Sequence, residues 1–96
     1  MRISEAVTEA HSNARDKGFY DKPLEFGTRI ALIHSELSEA LEAHRQGDEM
    51  GVAEELADVC IRVFDLCGAA GIDLEVEIRS KMLINRGRER LHGKNY

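Results

Sequence analysis

The sequence predicts an all-α fold, a helical bundle of about four helices around a central antiparallel helix hairpin. Only one of the 96 residues is proline, almost no segment alternates like a strand, and apolar residues recur at three- and four-residue steps. Hydrophobic residues make up 43% of the chain and charged residues 32%, a balance typical of folded proteins. The length predicts a single domain over 1–96.

The first two helices are predicted from capping residues, glycines and apolar periodicity. Helix one is expected from about Ile3 to Lys17, with Ser4 as the N-cap and Gly18 as the stop. Helix two is expected from about Leu24 to Gln46, ending at Gly47. Its apolar residues share one helical face. They are Ile30, Ile33, Leu37, Ala40 and Leu41.

The third helix, expected from about Glu49 to Ala69, repeats this pattern. Its apolar residues are Val52, Leu56, Val59, Val63 and Leu66. A short connection favours antiparallel neighbours, so helices two and three should form a hairpin whose apolar faces share a core. Asp73 should cap a fourth helix that runs to about Arg86, followed by a basic tail, 87–96.

Charge is divided unevenly along a chain whose formal net charge is −5. Segment 36–58 holds eight acidic residues against Arg45 alone, whereas segment 79–94 holds six cationic residues against Glu89 alone. The acidic balance argues against general binding to nucleic acid. The two segments either solvate the surface and attract each other, or one binds cations and the other binds anions.

The cellular compartment is predicted from the lack of long apolar segments, and the state of the cysteines from their spacing. No stretch approaches the roughly 20 consecutive apolar residues of a membrane helix, and no secretory signal is seen, so we expect a cytoplasmic protein. Cys60 and Cys67 are seven residues apart, which on a helix separates their Cα atoms by roughly 10 Å, beyond disulfide reach. Both are expected to be reduced core thiols without a zinc site.

Two pairs of carboxylates are spaced for one helical face each. Glu36 and Glu39 are three residues apart on helix two, as are Glu55 and Asp58 on helix three. Chance alone predicts such pairs in so acidic a chain, but Glu55 also falls at the margin of the apolar stripe. Four carboxylates that converge across an antiparallel hairpin would require a hard cation such as Mg²⁺.

The alternative is a solvated acidic face without metal. Asp58 with Arg62 and Glu42 with Arg45 could then form ion pairs along the helices. The chain has neither a zinc protease motif nor a glycine-rich phosphate loop, so any nucleotide would be held through metal ions and cationic side chains.

The acidic motifs and a third segment together resemble the MazG-like all-α nucleoside triphosphate pyrophosphohydrolases. That family carries Glu-x-x-Glu on one helix and Glu-x-x-Asp on the next, as found here in Ser35–Ala43 and Glu54–Val59. The segment Lys81–Arg86 is similar to the family's downstream Lys/Asn/Arg segment. The resemblance covers about 24–86. This chain has Ser35 where many members carry an additional Glu.

The resemblance implies hydrolysis of a nucleoside triphosphate to a monophosphate and pyrophosphate. It implies Mg²⁺, with Mn²⁺ as a substitute, held by Glu36, Glu39, Glu55 and Asp58. Glu36 or Glu39 would orient or deprotonate the attacking water. Candidates for substrate binding are Lys81 and Arg86 at phosphate and Asn85 at phosphate, sugar or base. Members of the family form homo-oligomers, so a dimer or tetramer is expected here as well.

Two non-enzymatic functions compete with this interpretation. A helical module could dock a basic partner through its acidic hairpin, or a non-catalytic protein of the same fold could bind nucleotide or metal. Phe19, Tyr20 or Phe26 could stack on a base, although such residues more often anchor a core or loop. His11, His34 and His44 are assigned no role.

Overall fold

The computed structural model describes residues 1–23 and 25–89. Within these ranges the chain forms four helices and no strand, which confirms the all-α class. The helices are α1 (Ile3–Asp16), α2 (Phe26–Arg45), α3 (Glu49–Ala70) and α4 (Leu74–Arg86). In the described ranges, none of them combines the length and the apolar character that crossing a membrane requires.

Local capping explains where α3 and α4 begin. The Asp48 side chain accepts a hydrogen bond from the Gly51 N–H at 2.9 Å, and the Asp73 side chain accepts one from the Val76 N–H at 3.1 Å. Each carboxylate satisfies an N–H that has no partner inside its helix. The predicted cap at Asp73 is therefore confirmed.

The start of α1 differs from the prediction. Arg2, not Ser4, precedes the first helical residue, and the Arg2 N–H donates to the Glu5 side chain at 3.3 Å. Ser4 lies inside the helix, where its N–H donates to Glu75 of α4 at 3.3 Å. Ser4 as N-cap was therefore wrong, because Ser4 is already helical and a side chain of α4 satisfies its N–H.

The other helix ends agree with the prediction to within two residues. The predicted start of helix two, Leu24, lies outside the described residues, and α2 begins at Phe26. Gly71 ends α3 in the left-handed conformation, with φ of 69°, which glycine adopts at little steric cost. Of the predicted basic tail, residues 90–96 lie outside the described residues.

The α2–α3 hairpin is the centre of the packing. Its connection spans only residues 46–48, so the chain reverses and the two helices pack side by side. The helix α1 packs extensively on α3, whereas α4 makes a smaller contact with α1. The hairpin predicted from the short connection is therefore confirmed.

The core contains only small or medium-sized side chains. The buried residues in the described part of the chain are Ala6, Ala14, Ala40, Leu66 and Cys67. The prediction that the apolar faces of the hairpin share a core holds only in part, since Leu37, Leu41 and Leu56 are 45%, 50% and 47% exposed. Among the described helices, α1 packs on α3, and these three side chains stay partly exposed.

The cysteines confirm one expectation and correct another. Both thiols are free, as their spacing predicts. Cys67 of α3 is buried, and burial raises the pKa of its thiol. Cys60 is exposed, so the prediction that both are core thiols was wrong for Cys60, which lies on nearly the same face of α3 as Cys67 but two turns nearer the N-terminus, where that face is not covered.

Candidate active site

Three carboxylates meet between the helices of the hairpin. One oxygen from each of Glu36, Glu39 and Glu55 lies within 4.8 Å of the others. The three-residue spacing places two of them on one face of α2, and the antiparallel packing of α3 brings Glu55 opposite them. Glu36 and Glu55 are half-buried, and Glu39 is exposed. We call these three residues the carboxylate cluster.

Asp58, the fourth predicted ligand, is exposed and lies outside this cluster. The ion pair considered between Asp58 and Arg62 is also absent among the described residues. Instead, the Arg62 Nε donates to the Glu36 Oε1 at 2.7 Å, across the hairpin. Similarly, Glu42 accepts from Gln46 at 3.3 Å rather than pairing with Arg45.

The cluster shifts the pKa values of two of its members in opposite directions. The hydrogen bond from Arg62 holds the pKa of Glu36 below its usual range. Burial, together with the neighbouring carboxylates of Glu39 and Glu36, raises the pKa of Glu55 to about 7. The Glu55 Oε2 is shielded from solvent and has no hydrogen-bond partner among the described residues.

These shifts predict how pH changes the stability of the metal-free protein. The pKa of Glu55 is about 7 in the folded chain against an ordinary value of 4.5. Between those values the folded state binds the proton more tightly than the unfolded state. The contribution of Glu55 to stability is therefore complete below pH 4.5 and is lost as pH rises through about 7.

The test compares melting temperatures of wild type and Glu55→Gln in EDTA. Because glutamine cannot ionise, we expect the variant to melt above wild type at about pH 8, where Glu55 is charged, and close to it at about pH 5. Circular dichroism across this pH range measures the difference. Parallel melting curves for the two proteins would contradict the assigned pKa.

The donor set of the cluster fits a hard divalent cation. All the ligand atoms that it offers are carboxylate oxygens, which Mg²⁺ and Mn²⁺ prefer. A shielded carboxylate oxygen without a partner, the Glu55 Oε2, is an atom that a cation would satisfy. The arrangement can therefore hold a divalent metal close to a water molecule or a phosphate.

The predicted substrate-binding residues lie on α4, which contributes no residue to the carboxylate cluster. Lys81 and Arg86 are exposed, and Asn85 is half-buried with a shielded Oδ1 that has no partner in the described part of the chain. The main packing partner of α4 is α1 and not the hairpin. Among the described residues, no hydrogen bond or ion pair joins α4 to the cluster.

A second polar group joins three elements that sequence spacing did not connect. Asp65 Oδ1 lies 2.9 Å from the His11 Nδ1 and accepts a hydrogen bond from the Tyr20 hydroxyl at 2.9 Å. The Arg29 guanidinium lies 3.9 Å from the centre of the Tyr20 ring. Burial and the hydrogen bond to Asp65 raise the pKa of Tyr20 to about 12.

The Tyr20 and Arg29 side chains also line a groove beside this group. The cavity has a volume of about 310 Å³. Its other lining residues are Lys22, Pro23, Phe26, Leu66, Ala69 and Ala70. Arg29 precedes Glu36 by seven residues on α2, which is two helical turns, about 10 Å, on nearly the same face. The groove and the cluster therefore lie along one side of α2.

Comparison with known proteins gave one family match and one curated relative. The phosphoribosyl-ATP pyrophosphohydrolase family model matches residues 3–80, which include the cluster and end just before Lys81. A dATP/dGTP diphosphohydrolase of Cyanophage S-2L is 37% identical over 62 residues, which are 65% of this chain and 55% of the relative. The chain thus matches about half the length of that relative. No solved structure matched significantly.

Proposed function

Because the chain belongs to the phosphoribosyl-ATP pyrophosphohydrolase family, we propose that it hydrolyses a nucleoside triphosphate to a monophosphate and pyrophosphate. The observation that carries the proposal is the carboxylate cluster, which lies inside the matched segment. Family membership agrees with the resemblance to the MazG-like pyrophosphohydrolases. It also favours an enzyme over a module that docks a basic partner.

We assign metal binding to the cluster. Glu36, Glu39 and Glu55 would hold Mg²⁺, or Mn²⁺ in its place, through their adjacent oxygens. Asp58 follows Glu55 by one turn of α3 and is exposed, so its side chain is free to add a fourth carboxylate. The metal, when bound, makes its water more acidic and offsets the charge of the pyrophosphate leaving group.

The chain's own carboxylates would direct the water. Glu36 or Glu39 accepts a proton from a water that attacks the α-phosphorus. The bond from the α-phosphorus to the oxygen bridging to the β-phosphorus breaks, and that oxygen leaves with pyrophosphate. The two α2 carboxylates are three residues apart, so one can hold metal while the other orients the water.

We propose that cationic side chains of α4 bind the triphosphate. Lys81 and Arg86 are exposed cations one to two turns apart, and Asn85 offers an amide for phosphate, sugar or base. Because the main contact of α4 is with α1 and not with the hairpin, these residues would reach the triphosphate of this copy or of a neighbouring one. The competing explanation for these charged side chains is that they only solvate the surface of the last helix.

We propose that the nucleoside occupies the groove lined by Tyr20, Phe26 and Arg29. Aromatic rings and a guanidinium offer flat surfaces for stacking a base. The distance of about 10 Å along α2 between Arg29 and Glu36 suits a nucleotide whose phosphates lie at the cluster. The matched names refer to phosphoribosyl-ATP and to dATP and dGTP, so purine triphosphates are the substrates to test first.

Replacing Phe26 with Ala tests the groove. Phe26 is 51% exposed, so its loss should leave the fold intact while removing a stacking surface. We expect KM for the preferred triphosphate to rise about 5-fold or more with kcat nearly unchanged. Phe19→Ala is the matched control, because Phe19 is 60% exposed and does not line the groove. Equal KM values for wild type and Phe26→Ala would place the base elsewhere.

We propose that the described helices act as one domain and self-associate as a dimer or tetramer in the cytoplasm. Large apolar side chains are exposed on α2 and α4, among them Leu41, Met82 and Leu83, the last two at 63% and 61%. Large apolar patches are rare on the surface of monomers, so we take these side chains to be covered in an oligomer. Light scattering after size exclusion measures the mass, and a 10.8 kDa species at micromolar concentration would contradict self-association.

Pyrophosphate release tests the proposed activity directly. We would assay phosphoribosyl-ATP, dATP, dGTP, ATP and pyrimidine triphosphates with Mg²⁺, with Mn²⁺ and with EDTA. The expected products are monophosphate and pyrophosphate, formed with either metal and not with EDTA. Orthophosphate and a diphosphate as products would contradict the cleavage position. Metal-dependent nucleotide binding without turnover would favour the non-catalytic protein of the same fold.

A further inference from the structure

Arg62 reaches the carboxylate cluster from α3 and binds Glu36. The Arg62 Nε donates to the Glu36 Oε1 at 2.7 Å, and the Glu36 side chain is 14% exposed against 39% for Arg62. Arg62 follows Glu55 by seven residues, so both project from nearly the same face of α3. The guanidinium therefore lies beside the cluster, with part of its surface in solvent.

This guanidinium is the cation that pairs with the cluster. Of the ion pairs among the described residues, the one between Arg62 and Glu36 involves a member of the cluster. It lowers the pKa of Glu36. Three carboxylates within 4.8 Å of one another repel, and a cation on one of them reduces that repulsion.

A divalent cation and Arg62 compete for the same carboxylate. If Glu36 holds metal through either of its oxygens while it still accepts the Arg62 hydrogen bond, two positive charges share one carboxylate and repel each other. The more exposed of the two partners is Arg62. Its long side chain can turn toward solvent, whereas Glu36 is enclosed by the hairpin.

We propose that Arg62 is an exchangeable counter-ion, which binds Glu36 in the metal-free protein and leaves it when a divalent cation enters the cluster. The inference rests on the proposed function, because it takes the cluster to be a metal site. It assigns to Arg62 a regulatory effect on metal affinity. Arg62 keeps the carboxylates together before metal binds and weakens the metal complex by competing for Glu36.

The test removes the charge and measures metal binding without nucleotide. In Arg62→Met the side chain keeps a similar length but carries no charge. We expect Mn²⁺, titrated by electron paramagnetic resonance, to bind about 10-fold more tightly to this variant than to wild type, because the competing cation is gone. Arg62→Lys, which keeps the charge, should stay close to wild type. Arg45→Met, an exposed cation of α2 outside the cluster, should not change the affinity.

Melting temperature supplies a second readout of the same exchange. In EDTA, Arg62→Met should melt about 4–8 °C below wild type, because the carboxylates lose their counter-ion. Saturating Mn²⁺ should close this gap, since metal replaces the guanidinium. A gap of equal size with and without Mn²⁺ would mean that Arg62 is an ordinary structural ion pair, and would overturn the inference.

The outcomes separate this inference from the proposed function. Equal or weaker Mn²⁺ binding by Arg62→Met, with metal-dependent activity in wild type, would overturn the exchange and leave the activity standing. If Arg62→Met bound Mn²⁺ and wild type did not, the competition between Arg62 and the metal would be supported and would be stronger than the effect of about 10-fold expected above. No Mn²⁺ binding by either protein would overturn both the metal site and the inference.

Discussion

Replacing Glu55 with Gln is expected to lower the rate of pyrophosphate release by about 10²–10³-fold, the loss typical of removing one electrostatic contact to a transition state. Glu55 is the member of the cluster contributed by α3, and its Oε2 is shielded without a partner. Glutamine fills the same volume but removes the negative charge. The loss should therefore appear in kcat with Mg²⁺ rather than in the fold.

The adjacent acid offers a matched control for this substitution. Glu54 is exposed and lies outside the cluster, so Glu54→Gln should retain nearly full activity. Both variants should show the helical circular dichroism of wild type. If Glu55→Gln released pyrophosphate as fast as Glu54→Gln, then Glu55 would not hold the metal, and the proposed site would be wrong.

Replacing Gly68 with Ala is expected to lower the free energy of unfolding by about 1–3 kcal/mol, the range for overpacked sites. A Cβ at this position would lie 2.6 Å from the His11 Cβ and 3.0 Å from its Cγ. The His11 Cβ is fixed to the α1 backbone, so the strain can be relieved only if α1 moves away from α3. That movement would also disturb the hydrogen bond between His11 and Asp65.

Gly27→Ala on α2 is the control for Gly68→Ala. It measures the effect of replacing a helical glycine with alanine where the new Cβ does not clash with another helix. At Gly27 in α2 a new Cβ meets the Glu25 Oε1 at 3.2 Å, the end of a flexible side chain. Gly27→Ala should therefore be neutral or stabilising by up to about 1 kcal/mol. Urea unfolding followed by circular dichroism measures both variants. Equal stability of Gly68→Ala and Gly27→Ala would show that α1 does not pack so closely on α3.

The helices were predictable because their signals are local. Apolar periodicity, the Asp73 cap and glycine stops act within a few residues, and the observed helices end within two residues of the prediction. Ser4 was the exception at a helix start. Its N–H bonds to Glu75, 71 residues away in the chain, and no local pattern could reveal that partner.

The carboxylate cluster was only partly predictable. Three-residue spacing and the hairpin predict that four carboxylates converge. Oxygens of Glu36, Glu39 and Glu55 do meet, whereas Asp58 lies outside the cluster. Spacing also suggested an ion pair between Asp58 and Arg62, but Arg62 binds Glu36 across the hairpin. Which carboxylate pairs with Arg62 depends on the distance between α2 and α3 and on the rotation of each helix about its axis. Residue spacing within one helix does not determine either.

The sequence by itself determined the class of fold, the hairpin and the family resemblance. Each of these depends on patterns of residues that lie close together along the chain. Only the tertiary structure decided which charges pair, which apolar side chains remain exposed, and that Tyr20, Arg29 and Asp65 form one group. Those outcomes depend on packing between helices. Side chains from distant positions meet only if the helices approach closely, and a residue as small as Gly68 permits that approach. The distances between helices cannot be predicted from residue spacing or composition.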